Sequence, residues 1–171
     1  DNPPGFKNGW EPYPSSLRII NWIKWFFLNG NLKQEWLDSL ASQTRFLSQN
    51  LEYHLLGNHL FANAKALIFS GLYFQGAEAD EWYQTGIKIL NKELPEQVLS
   101  DGGNFELSPM YHAIFLEDLL DLINIHQAYV KSQPANIDNK AMQMLKWLES
   151  MSHPDGEISF FNDSTLGVAP T

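Results

Sequence analysis

The 171-residue sequence contains no cysteine, which excludes disulfides, thiolate metal ligands and a cysteine nucleophile without choosing a compartment. Positive charge is scarce: 11 Lys and Arg stand against 20 Asp and Glu, a formal net charge of −9. A nucleic-acid binder needs a basic surface to displace counterions from phosphates, so nucleic acid is not expected as a partner. The same deficit means that any acidic ligand must meet a local group of cationic and amide donors rather than a favourable overall field. No apolar run approaches the roughly 20 residues of a membrane span, and the opening DNPPGFKNGW lacks the basic and apolar regions of a signal peptide. HExxH and similar metal patterns are missing, and His54 and His59 are five apart, off a shared helical face. No metal or cofactor is expected. A fixed-period repeat is also missing, which argues against a regular solenoid.

What the sequence does have is apolar and aromatic bulk. Hydrophobic residues make up 44% and aromatics 13%, with six Trp, enough for a dense core or for stacking surfaces. Residues 1–171 fit one helical domain. Its pattern predicts about six helices between 15 and 151, then a loop tail over 152–171. Ser15 or Ser16 caps the first, which carries Ile19, Ile20, Ile23, Phe26 and Phe27 inward and ends at Gly30. The second runs from about Lys33 to His54 on Trp36, Leu37, Leu40, Leu47 and Leu51; the third, from about Asn58 to Phe74, uses Leu60, Ala64, Leu67, Ile68 and Leu72, and Gly71 weakens its end. The fourth, about Ala77 to Leu94, uses Trp82, Gly86, Ile87 and Leu90 until Pro95 disrupts or restarts it. Ser108-Pro109, a cap followed by proline at the first helical position, opens the fifth, with Ile114, Phe115, Leu119, Leu120 and Ile123 inward. The sixth, about Ile137 to Met151, uses Ala141, Met144, Leu145 and Leu148. Short loops between amphipathic helices favour antiparallel αα-hairpins, as a closed bundle or as an arc of an α/α toroid. The tail ends Val168-Ala169-Pro170-Thr171 without a polar terminus, so the chain is expected to be a fragment of a longer one.

Two segments are polar where helical hairpins have least need of it. NLEYHLLGNHL, residues 50–60, gathers Glu52, Tyr53, His54, Asn58 and His59 around Gly57. DGGNFELSPMYH, residues 101–112, places Asp101, Glu106, Tyr111 and His112 at the mouth of the fifth helix. Tyr111 falls in that helix's opening turn, where unpaired N–H groups and the positive dipole end favour a phenolate or a ligand carboxylate. A packing role for its ring remains open, as does a capping role for Asn58 after Gly57.

NLEYHLLGNHLFANAKAL, followed some fifty residues later by DGGNFELSPMYH, resembles the helical domain of the heparinase II/III family of polysaccharide lyases. The segments WEPYPSSLRIINWIKW and HPDGEISFFND are similar to that family as well, so the likeness runs through most of the chain. It implies an all-α fold of antiparallel αα-hairpins forming part of an incomplete (α/α) toroid. The β-sandwich domain expected in the family is absent from this sequence. It also implies cleavage of a uronic-acid polysaccharide by β-elimination, with Asn58 and His59 neutralising the uronate carboxylate and Tyr111 moving protons through a depressed pKa. Glu52, His54, Glu106, His112 and Asp163 are placed as supporting or substrate-binding residues. The resemblance implies an acidic polysaccharide and the missing C-terminal part of its own chain as partners, and a periplasmic or secreted location. Family lyases also use a histidine or tyrosine from later in the chain, so the isolated piece is expected to be inactive.

Two other functions compete. A glycoside hydrolase on the same kind of toroid would pair Glu52 with Asp101 or Glu106. A non-catalytic carbohydrate-binding module would use Trp10, Trp22, Trp25 and Trp82 as stacking platforms.

Overall fold

A computed structural model describes residues 5, 8–55, 57–129, 131–132, 134 and 136–169; Leu56 and the terminal Pro170-Thr171 thus lie outside the described residues. A single 3₁₀ turn at Asn8–Trp10 leads into six helices: α1 (Pro12–Leu28), α2 (Gln34–Gln49), α3 (Asn58–Tyr73), α4 (Ala77–Gln97), α5 (Pro109–Ala128) and α6 (Ile137–Ser150). Pairing of extended backbone among the described residues is limited to two isolated antiparallel bridges, Val98 with Asn104 and Ser152 with Ile158. The chain forms two compact units, residues 1–90 and 91–171.

In the first unit α1, α2 and α3 pack on one another around Ile19, Ile23, Leu40, Leu47, Leu67 and Ile68, all fully buried. The first helix starts earlier than the serines suggested. Pro12 and Pro14 occupy its opening turn, where a missing N–H costs nothing, while Ser15 and Ser16 are buried inside the helix. Helix α3 is buried from Leu60 through Ser70 on every side, so its apolar residues do not reduce to one stripe. Gly71 does not weaken its end. A Cβ there would stand 2.6 Å from the Tyr83 backbone nitrogen, and one on Gly86 would stand 2.8 Å from the Ala64 carbonyl. These two glycines let α3 and α4 approach backbone to backbone. Pro95 likewise fails to stop α4, which continues to Gln97 before the chain turns.

In the second unit α5 packs on α6 through Phe115, Leu119, Leu122, Ile137 and Met144. Ser108 caps α5 as its sequence indicates, its hydroxyl accepting from the Tyr111 N–H with Pro109 in the first turn. Phe27, Leu120 and Leu145, expected inside, are 50%, 39% and 40% exposed, because the buried stripes run through Phe26, Leu119 and Met144 instead. The tail is more than a linker: Ser152 and Ile158 bridge across a turn at Gly156, and residues 162–165 fold back on the start of α5.

Candidate functional site

In the first unit the polar segment 50–60 becomes a turn followed by the start of α3. Gly57, at φ 87°, occupies the position before the helix, and no side chain caps it. Asn58 is therefore the first helical residue, half-buried, and its amide does not serve as the cap that its position after Gly57 suggested. His59 follows, and its Nδ1 lies 3.1 Å from Oε1 of the buried Glu52. A carboxylate oxygen accepts, so this pairing assigns the ring proton to Nδ1. Tyr13, from α1, stacks on the imidazole with ring centroids 4.5 Å apart.

Glu52 is itself fixed. Asn63, fully buried one turn further along α3, accepts from the Glu52 N–H at 3.0 Å and donates to Glu52 Oε2 at 3.0 Å. The same amide donates to Ser16 Oγ at 3.1 Å, and the Ser16 hydroxyl donates in turn to the Pro12 carbonyl at 2.8 Å. His54 stands apart from this network, exposed on a cleft lined also by Trp10, Phe46 and Asn50.

In the second unit the DGGN turn is built against α6. Gly102, at φ 92°, would bring a Cβ within 2.4 Å of the Gln143 carbonyl, so neither its backbone angle nor its surroundings admit a side chain. Asp101 Oδ1 closes the turn on the Gly103 N–H at 2.9 Å. His112 points inward and is fully buried. Its Nδ1 accepts from the Asn104 N–H, its Nε2 donates to the Met144 carbonyl at 2.9 Å, and Trp147 stacks on it at 4.4 Å. Burial pushes its pKa down, against weaker upward pulls from that carbonyl and from Asp101. His112 is thus a neutral imidazole that ties the turn, α5 and α6 together, with both nitrogens engaged.

Tyr111 lies half-buried in the first turn of α5. The depressed pKa expected at a helix N-terminus is not what the structure gives. Partial burial raises the phenol above its ordinary value, and the carboxylates of Asp163 and Glu106 raise it further. The physical reason is local: the Tyr111 N–H is already taken by Ser108 Oγ, and two acidic side chains oppose the dipole. Asp163 is held there by its backbone. Ser108 Oγ donates to the Asp163 carbonyl at 2.7 Å, so the Ser164 hydroxyl, 3.0 Å away, must donate to Ser108. Asn162 Nδ2 donates to the Leu107 carbonyl at 2.7 Å, joining two non-glycine residues of positive φ, 52° and 55°.

The eight candidate residues therefore divide between the units: Glu52, His54, Asn58 and His59 in one, Glu106, Tyr111, His112 and Asp163 in the other. Among the described residues no three His, Asp or Glu side chains gather in a way that could hold a metal ion, and no helix is long and apolar enough to cross a membrane.

A family model described as Heparinase II/III N-terminus matches residues 5–169. The chain belongs to the heparinase II/III family. Within that family it is 33% identical over 171 residues to the heparin-sulfate lyase of Pedobacter heparinus, covering 92% of this chain and 25% of that protein. The heparin-sulfate lyase of Bacteroides thetaiotaomicron is 28% identical over 172 residues, covering 91% and 24%. The crystal structure of heparan sulfate lyase HepC from Pedobacter heparinus superposes with a TM-score of 0.72 at 29% identity, over 95% of this chain and 28% of that one. A crystal structure of heparinase III gives 0.75 at 25% identity, over 99% and 27%. The all-α hairpin fold, part of an incomplete (α/α) toroid, is the one these heparinases share. The chain spans about a quarter of the length of the relatives it matches.

Of the residues that build the surroundings of His59, Asn63 and Tyr13 were not among the candidates, and Ser16 was expected only as a helix cap. Asn63 had one usable signal, an amide inside the apolar run FANAKALIF, where an unpartnered polar group would be costly. Ser164, which completes the Ser108 cap, gave none.

Proposed function

We propose that this chain is the helical N-terminal part of a lyase that cleaves a uronic-acid polysaccharide of the heparan sulfate kind by β-elimination. The observation that carries this reading is the start of α3 in a member of this family. There an amide not used as the helix cap stands next to an imidazole whose proton is placed by a buried carboxylate. Asn58 Nδ2 donates a hydrogen bond to the uronate carboxylate, and His59, with its Nδ1–H on Glu52, donates a second from Nε2 when the ring carries both protons; these bonds strengthen as charge develops on the carboxylate. The C5 proton leaves to a base, its electron pair forms the C4–C5 double bond, and the C4–O bond breaks. The departing glycosidic oxygen then takes a proton.

Tyr111 fits the donating half of this sequence. Its raised pKa keeps the phenol protonated at neutral pH, ready to protonate the leaving oxygen. The accepting half then falls to a residue of the remaining protein, which together with the polysaccharide is the partner this reading requires. No metal or cofactor enters the scheme, and a polysaccharide substrate places the enzyme in the periplasm or outside the cell.

The two competing functions have less support. Both oxygens of Glu52 are engaged, by His59 and Asn63, and Asp101 closes its own turn, so neither is placed as the free carboxyl group a hydrolase pair needs. Of the four suggested stacking platforms, Trp10 and Trp82 are 7% and 5% exposed and belong to the core, which leaves Trp22 and Trp25, lining a pocket with Phe26 and Trp36. The test is the product. The full-length protein acting on heparan sulfate should generate near-ultraviolet absorbance from a conjugated unsaturated uronate, whereas saturated fragments would indicate hydrolysis and overturn the proposal.

A further inference from the structure

We infer that Asn63 is a positioning residue that sets the tautomer and orientation of His59 through Glu52. Its catalytic consequence rests on the lyase reading; the positioning itself does not.

Asn63 is completely buried in a helix whose neighbouring positions are almost all apolar. An amide there costs stability unless its polar atoms find partners, and an alanine or leucine would suit the surroundings better. Its oxygen and one of its protons go to the same residue, Glu52, one to the backbone N–H and one to the carboxylate. The other amide proton goes to Ser16 Oγ. Tying the turn to α3 needs only the backbone bond. The second bond fixes the carboxylate, leaving Oε1 directed at His59 Nδ1.

With the proton on Nδ1 and the ring plane set by the Tyr13 stack, Nε2 is the nitrogen left to meet a ligand. An imidazole without such a partner populates both tautomers and several rotamers, so Nε2 would not be held toward the ligand, where it donates to a carboxylate when the ring carries both protons. A carboxylate and an amide behind a histidine thus act as supports behind a working group do elsewhere, where their loss typically costs about 10-fold or more in activity.

Asn63→Asp separates positioning from mere structure. Aspartate keeps the shape and still accepts the Glu52 N–H, but it turns an acidic oxygen toward Oε2 and drives the Glu52 carboxylate away. Nitrogen-15 NMR of the His59 ring reports the tautomer directly, with Glu52→Ala defining the unsupported ring. At a pH where the ring is neutral, the wild-type chain should show a single Nδ1-protonated form, and Asn63→Asp should resemble Glu52→Ala. In the full-length protein the same variant should lower kcat about 10-fold with KM changed much less. If Asn63→Asp does not fold, Asn63→Ala is read in its place with the same expectation. A folded Asn63 variant whose His59 ring keeps the wild-type spectrum overturns the inference. Should the full-length protein form no unsaturated product, the lyase reading fails, and the ring spectrum alone decides the positioning role.

Discussion

Tyr111 and His112 are neighbours in sequence with opposite surroundings, and each makes a pH-dependent expectation. The Tyr111 phenol is held above its ordinary value by partial burial and by Asp163 and Glu106. Replacing Asp163 with Asn should therefore lower the Tyr111 pKa, measured by ultraviolet titration of the phenolate against a Tyr111→Phe baseline; an unchanged titration would remove Asp163 from the account. His112 is buried in neutral form, with its pKa below the ordinary 6.5. Its contribution to stability is present above 6.5 and is lost as pH falls from there through the folded value, because the unfolded chain binds the extra proton first. His126, also depressed by burial, acts in the same direction. Unfolding free energy from urea titrations should decline as pH drops below about 6.5, and less steeply in His112→Gln. The position of Tyr111 was legible because Ser108-Pro109 is a local signal. Its pKa was not, because Asp163 arrives from more than fifty residues away. Asn63 was hidden for the same reason: its partners Ser16 and Glu52 lie in other segments.

At the level of the helices, residue preference and packing disagree at Gly71. Alanine is a better helix former by about 1 kcal/mol, yet a Cβ there would meet the Tyr83 backbone at 2.6 Å. Gly71→Ala should destabilise the chain by about 1–3 kcal/mol in denaturant titrations, since backbone cannot move aside as a flexible side chain can. Ser108→Ala removes both the α5 cap and the bond to the Asp163 carbonyl. It should cost about 1–2 kcal/mol and release the Asn162–Ser164 segment, seen as faster amide exchange there. The six helices could be read from the 3.6-residue period and from turn residues. Details decided by contact could not. Pro12 and Pro14 read as loop although the first turn tolerates them, and Gly71 reads as a weak point although it is a contact surface.

For the molecule as a whole, the candidate polar residues divide between two units, and each unit orders its own by its own hydrogen bonds. One contributes Asn58 and a supported His59, the other a Tyr111 fixed at a capped helix start and flanked by acids. With a net charge of −9, the chain offers an acidic polymer no general attraction, so the proposed function requires local donors rather than an overall field. On the proposed mechanism the 171 residues alone should generate no unsaturated product, because that mechanism assigns acceptance of the C5 proton to the remaining protein. The most direct test of the account is the turnover of full-length Tyr111→Phe on heparan sulfate, followed by product absorbance. Loss of the phenol proton should lower kcat by about 100-fold or more while the melting temperature stays within a few degrees. Wild-type turnover in that variant would contradict the account.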